Sequence, residues 1–185
     1  IPGEYIIAMI ATYLKNHRRL KGDAIVVTKV SNLALEEYLK SVGIKTIYSE
    51  VGDIKVHEQM VKKDLNFGGE ESGHIIFSDY SNTGDGIVSA LQILAILVES
   101  KKKLSDLVNI FKLNPQVKSN IKFNDNNPLL KDLVSNNIRN IIDNNSNLKI
   151  VVRKSGTEKL IRVLVEGKKK AKIEKVHEEI VKTII

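Results

Sequence analysis

The stretch "AIVVTKVSNLALEEYLKSVGIKTIYS", Ala24 to Ser49, decides the fold class. Ala24 to Val30 is a short β-branched, apolar run of the kind that forms a strand buried on both faces. Ser31 and Asn32 then offer side-chain oxygens for the amino end of a helix. Leu35, Tyr38, Leu39 and Val42 follow at helical spacing, and Gly43 stands where a helix needs a residue tolerant of left-handed backbone. Ile44 to Tyr48 is a second apolar run. A strand, helix and strand joined this tightly pack as parallel strands with a right-handed crossover. The expected class is therefore α/β.

Working outward from this unit, Tyr5 to Leu14 carries its apolar residues on one helical stripe, ending in the polar segment Lys15 to Gly22. Downstream, Lys55 to Lys63 suits a short helix and His74 to Tyr80 a strand. Thr83, Gly84 and Asp85 open a strongly apolar helix that runs to Glu99. These elements predict a three-layer α/β/α domain with a mixed sheet over residues 1–112. From about Pro115 the character changes. Val117 to Phe123 alternates like a half-buried strand, an Asn-rich loop follows, and Leu129 to Ile142 is helical. A second Asn-rich loop precedes two strands, and Ile173, Val176, Ile180 and Ile184 line one face of a closing helix. Residues 113–185 are thus expected to form a small α+β domain, an antiparallel sheet with helices on one face.

Composition narrows the functional classes. Of 185 residues, 42% are apolar and 28% charged, which suits a chain with enough apolar surface to fold. The net charge of +7 allows an anionic ligand, but the basic residues are scattered and aromatics reach only 5%, so no specific nucleic-acid surface is expected. The run Lys168, Lys169, Lys170 reads as a solvated lead into the last helix. With no cysteine there is neither a disulfide framework nor a thiolate metal site, and a reducing cytoplasm is the natural compartment. No apolar run reaches the roughly 18 residues of a membrane helix, so no membrane association is expected. The chain opens on Ile1 rather than Met and is read as a piece of something longer.

Two loops carry the chemistry. "RKSGT", Arg153 to Thr157, sits between two apolar runs and places guanidinium, ammonium and hydroxyl donors around Gly156, where backbone amides can also approach an anion. The composition suits phosphate, although an ordinary hairpin loop could carry it too. "GGEESGH", Gly68 to His74, precedes a strand. Its paired glycines let the backbone approach a ligand, and Glu70, Glu71, Ser72 and His74 supply acceptors, a donor and a titratable ring suited to sugar hydroxyls. A glycine turn with solvated acids would look the same. Together the loops point to a phosphorylated sugar. "NTGDG", Asn82 to Gly86, is better read as a helix start than as a site, and His17, His57 and His177 are given no role.

"GGEESGHIIFSDYSNTGDGIVSALQIL" followed by "VVRKSGTEKLIRVLVEG" resembles the carboxy-terminal half of the α-D-phosphohexomutases, domains three and four. Within them it is most similar to the bacterial phosphoglucosamine mutase branch, by Glu-Glu-Ser-Gly-His, "SDYSNTGDG" and "SNLALE". The resemblance implies that Glu70 and Ser72 bind sugar hydroxyls, that His74 lies near the reacting phosphoryl group, and that Arg153, Ser155, Gly156 and Thr157 grip the non-reacting phosphate. It leaves Arg162 between a site residue and a surface charge. It also implies that a phosphoserine lies in domain 1 and a magnesium loop in domain 2, the missing N-terminal domains. The whole enzyme would interconvert glucosamine 6-phosphate and glucosamine 1-phosphate, and this chain alone would be inactive. A phosphomannomutase or phosphoglucomutase relative is the alternative, as is a non-catalytic sugar-phosphate-binding fragment of a split gene. Two positions depart from the family pattern: Ile54 stands where Arg is common after "VGD", and Lys159 where Pro is common.

Overall fold

Every residue of β1, Ala24–Thr28, is buried, as a strand covered on both faces requires. The computed structural model describes residues 1–124 and 126–185. They divide into two units, Ile1–Leu113 and Asn114–Ile185.

In the first unit, α1 (Gly3–Asn16) leads to β1, α2 (Leu33–Ser41) and β2 (Lys45–Ser49). Asn32 caps α2 by accepting the Ala34 amide at 3.0 Å. The helix closes with Gly43 at φ +74°. The Gly43 amide donates to Lys40 and the Ile44 amide to Leu39, which satisfies carbonyls that the helix end would otherwise orphan. β1 and β2 pair in parallel, from Ala24 opposite Lys45 to Thr28 opposite Ser49. Next come α3 (Asp53–Lys62), β3 (Phe67–Gly69), β4 (Ile75–Phe77), α4 (Gly86–Ser100) and a short α5 (Leu104–Val108). The sheet order is β2-β1-β3-β4, with β3 parallel to β1 and β4 antiparallel to β3. Ile7, Ile10, Leu35, Leu39 and Ile96 pack on one face with Ile25 and Val27; Val56 and Met60 of α3 pack on the other with Ala24 and Val26. Three layers and a mixed sheet result. β3 and α5 have no counterpart among the expected elements, and β4 is shorter than the run from His74 to Tyr80.

The second unit holds β5 (Gln116–Lys122), α6 (Asp132–Asn144), β6 (Lys149–Lys154), β7 (Leu160–Glu166) and α7 (Lys170–Ile184). The sheet is antiparallel in the order β5-β7-β6. Side chains alternate across it. Val117, Ile121, Ile150, Val152, Ile161, Val163 and Val165 meet Ile138, Ile141, Ile173, Val176 and Ile180 of α6 and α7, so both helices cover one face. Buried Glu166 accepts from the amides of Asn114 and Gln116 at 3.1 and 2.9 Å, the pairing a carboxylate needs out of water. The Asn-rich loop expected after Phe123 includes position 125, which lies outside the described residues.

Candidate functional site

The carboxyl ends of β1, β2 and β3 lie along one edge of the first sheet, the edge at which open α/β sheets bind ligands. The loop Glu70 to His74 leaves β3 there and returns as β4. Its own backbone closes it: the Glu70 amide donates to the His74 carbonyl at 2.9 Å and the Gly73 amide to the Glu70 carbonyl at 3.0 Å. Gly73 has φ +96°, a conformation that other residues rarely adopt.

Glu70, Ser72 and His74 come together in this loop. His74 Nδ1 lies 2.9 Å from Ser72 Oγ and 3.7 Å from Glu70 Oε2. Glu70 is only 7% exposed, and its Oε1 accepts the Gly52 amide at 2.9 Å, which ties the loop after β2 to the loop after β3. The His74 side chain is 62% exposed, and Ser72 is also exposed. The cluster therefore has a buried carboxyl group at its base and a solvent-facing rim of one hydroxyl and one imidazole. Glu71, expected from sequence as a further acceptor of the loop, accepts from Thr28 Oγ1 at 3.1 Å. Thr28, not singled out in the sequence, ends the central parallel strand, and that position at the ligand edge is the signal that would have pointed to it.

The paired glycines behave differently from expectation. Gly68 and Gly69 lie inside β3, and a Cβ at Gly68 would sit 2.8 Å from Met60 Sδ and 2.9 Å from the Val26 carbonyl oxygen. A Cβ at Gly69 would sit 3.1 Å from the His74 carbonyl oxygen and 3.2 Å from Ile7 Cδ1. Their missing side chains let α3 and α1 close on the sheet.

In the second unit, Ser155 to Lys159 forms the hairpin loop between β6 and β7. The Ser155 amide donates to the Leu160 carbonyl at 2.8 Å, and Ser155 is buried, whereas Gly156 and Thr157 are exposed. Nothing lies within 4 Å of a Cβ built at Gly156, and its φ is not left-handed, so the loop does not itself demand glycine there. Arg153 stands directly opposite Arg162 in the ladder, on the face that α6 and α7 leave open. Glu158 reaches Arg162 at 3.4 Å. Two like charges in facing positions repel unless an anion joins them. Ile54 is exposed on the first turn of α3, and the Lys159 carbonyl accepts the Phe123 amide.

Among the described residues, no group of three His, Asp or Glu side chains is placed to hold a metal ion. No helix among the described residues is long and apolar enough to cross a membrane. A depression of about 400 Å³ lies around Thr12, Tyr13, His17, Tyr38 and Glu99. There Tyr13 and His17 both bond Glu99; the hydrogen bond from Tyr13 holds that carboxyl below its usual range and raises the phenol. This is a helix-to-helix tie, and it includes none of the loop residues.

Two family models match the chain: phosphoglucomutase/phosphomannomutase alpha/beta/alpha domain III over residues 2–113 and the C-terminal domain over residues 94–183. The phosphoglucosamine mutase of Nitratiruptor is 45% identical over 181 residues, covering 98% of this chain and 40% of the relative. That of Clostridium botulinum is 45% identical over 188 residues, covering 100% of this chain and 42% of the relative. The chain thus spans about two-fifths of the length of these relatives. An N-acetylglucosamine-phosphate mutase structure in its substrate complex superposes with a TM-score of 0.80 at 18% identity, covering 100% of this chain and 44% of that one. The Aspergillus fumigatus N-acetylphosphoglucosamine mutase, in complex with GlcNAc-6P and magnesium, gives 0.79 at 16% identity, with 99% and 46% covered. At such identities the superpositions speak for the fold alone. The chain belongs to the phosphoglucomutase/phosphomannomutase family, of which it carries the alpha/beta/alpha domain III and the C-terminal domain.

Proposed function

We propose that this chain is the substrate-binding part of a phosphoglucosamine mutase, an isomerase that interconverts glucosamine 6-phosphate and glucosamine 1-phosphate. The observation that carries the reading is 45% identity to phosphoglucosamine mutases along nearly the whole chain. The paired Glu70–Ser72–His74 cluster and the Arg153 hairpin support it, because one suits a sugar and the other its phosphate.

In this reading Arg153, Ser155, Gly156 and Thr157 hold the phosphate that does not react, and Arg162 strengthens the positive face beside Arg153. Guanidinium groups, hydroxyls and amides stabilise a dianion whichever sugar carbon bears it, which suits a substrate that must bind in two orientations. Glu70 and Ser72 take the sugar hydroxyls, and Glu70 is held ready by the Gly52 amide. His74, with Nδ1 engaged by Ser72, offers its other ring nitrogen to a phosphoryl oxygen. A phosphoserine in a part of the enzyme outside this chain gives its phosphoryl group to the free C1 hydroxyl of glucosamine 6-phosphate, the resulting bisphosphate turns over in the cleft, and the serine takes up the phosphoryl group from C6. The sugar leaves with its phosphate on the other carbon.

Isothermal titration calorimetry with glucosamine 6-phosphate tests this. Wild-type chain should bind it more tightly than glucose 6-phosphate or mannose 6-phosphate. Arg153→Ala should weaken binding about 10- to 100-fold, the equivalent of ~1.5–3 kcal/mol for hydrogen bonds to a charged group. An unchanged Kd would remove Arg153 from the site, and a preference for glucose or mannose phosphate would transfer the chain to another branch of the family.

A further inference from the structure

The basic residues that lie scattered along the sequence are sorted by the fold. Residues 1–113 hold 14 Lys and Arg against 14 Asp and Glu, whereas residues 114–185 hold 15 against 8, so the whole net charge of +7 belongs to the second unit. Four of its cations share one face of the sheet. Lys118, Asn120 and Lys122 of β5 stand opposite Leu164, Arg162 and Leu160 of β7, and Arg153 of β6 stands opposite Arg162. Ladder partners point the same way, and the intervening Val117, Ile121, Ile161 and Val163 meet the helices, so all four cations lie on the face that α6 and α7 leave open. No acid occupies positions 118, 120 and 122 of β5, 151 and 153 of β6, or 160, 162 and 164 of β7. The acids at the borders are engaged: Glu158 reaches Arg162 at 3.4 Å, and buried Glu166 takes the side-chain amides of Asn114 and Gln116.

We propose that Lys118 and Lys122, which belong to neither motif, make this face a capture surface for phosphate monoesters, drawing the dianion onto the sheet and passing it to the hairpin. Both side chains are exposed. Lys122 stands opposite Leu160, whose carbonyl takes the Ser155 amide, so it is level with the start of the hairpin loop. The Arg153 and Arg162 pair lies ~7 Å further along the strands, and Lys118 the same distance beyond it. The two residue types divide the task. A guanidinium fork fixes two phosphate oxygens at once, whereas an ammonium on a flexible stem is a hydrated point charge that attracts without imposing an orientation. That suits a ligand whose phosphate arrives on either of two carbons. Cations of one sign gathered on a low-dielectric wall raise the local concentration of an anion and speed its association.

The inference rests on the proposed function only in taking the hairpin as the phosphate loop. It is tested by phosphorus NMR line shapes during titration of this chain with ethyl phosphate and, separately, with glucosamine 6-phosphate, which give kon and koff. At about 0.01 M salt, where fields reach ~30 Å, K118Q/K122Q should lower kon for both esters about 3- to 10-fold while changing koff less than about twofold. The deficit should vanish near 1 M salt, where the reach is ~3 Å. K118R/K122R should keep the wild-type kon. K175Q/K182Q should keep it too, although it removes the same charge, because Lys175 and Lys182 are exposed on α7, behind the sheet. Equal kon in K118Q/K122Q and wild type would overturn the inference, as would a loss confined to koff or a loss in K118R/K122R. An equal loss in K175Q/K182Q would also overturn it, since net charge and not this face would then be at work. The two proposals fail separately. Lysine-dependent capture of ethyl phosphate with no preference for glucosamine 6-phosphate would refute the function and leave the capture surface standing; that preference with a lysine-independent kon would do the reverse.

Discussion

A Cβ added at Gly68 would press on the Met60 sulfur and the Val26 carbonyl oxygen from less than 3 Å, whereas one added at Gly156 would meet nothing within 4 Å. The two glycines therefore answer to different demands. Gly68→Ala should cost about 1–3 kcal/mol of stability, because the carbonyl belongs to the central strand and Met60 is fully buried. Gly156→Ala should leave stability within ~0.5 kcal/mol of wild type while weakening glucosamine 6-phosphate binding, since only a ligand would claim the space its side chain enters. Urea denaturation and calorimetry on both variants decide the matter. Full stability of Gly68→Ala would remove the packing argument, and unaltered ligand binding by Gly156→Ala would place that glycine outside the phosphate loop. At this scale the nearness of Glu70, Ser72 and His74 was readable from sequence, because they lie within five residues of one another, but the hydrogen bond from the Gly52 amide to Glu70 was not, because it joins loops 18 residues apart.

At the scale of elements, α7 lies on the second sheet through Ile173, Val176 and Ile180, and this seating brings His177 Nε2 to 2.9 Å from Ser119 Oγ on β5. Burial lowers the pKa of His177 below its usual value, partly offset by Glu178. The sign follows. A histidine held neutral in the fold takes up a proton more readily when unfolded, so the unfolded state binds more protons as pH falls. The contribution of His177 is full above about 6.5, its unfolded pKa, and is lost as pH falls from there through the lower folded value. Thermal melts between pH 7 and 5.5 should show Tm falling with pH, less steeply in His177→Gln. Parallel slopes for the two proteins would deny His177 this role. Element boundaries illustrate a further limit of sequence. β3 is three residues long and two are glycine, so neither alternation nor β propensity signals it; it exists because β1 and β4 flank it with ladder partners.

For the molecule as a whole, each unit has its own apolar core, and each presents one candidate loop. The family chemistry assigned here needs a phosphoserine that this chain is proposed to lack. Purified chain incubated with glucosamine 6-phosphate, magnesium and a bisphosphorylated sugar should therefore yield no glucosamine 1-phosphate by phosphorus NMR. Product formation above the rate of a heat-denatured control would overturn the division of labour between this half and the rest of the enzyme.

What the sequence determined by itself was whatever depends on near neighbours in the chain. The β-branched run at Ala24, the cap at Asn32, the left-handed Gly43 and the alternation through β5 and β7 are local properties, and they sufficed for the class of both units. The loop character of Glu70 to Gly73 and of Ser155 to Thr157 was legible for the same reason, although Gly68 and Gly69 belong to β3 and Arg153 to β6. Tertiary structure alone decided why Gly68 must be glycine, where Arg162 stands relative to Arg153, and which side of α4 remains in water. Each of these depends on what another segment, distant in sequence, places within a few ångströms. An apolar helix such as α4 reads identically in sequence whether both its faces are covered or only one.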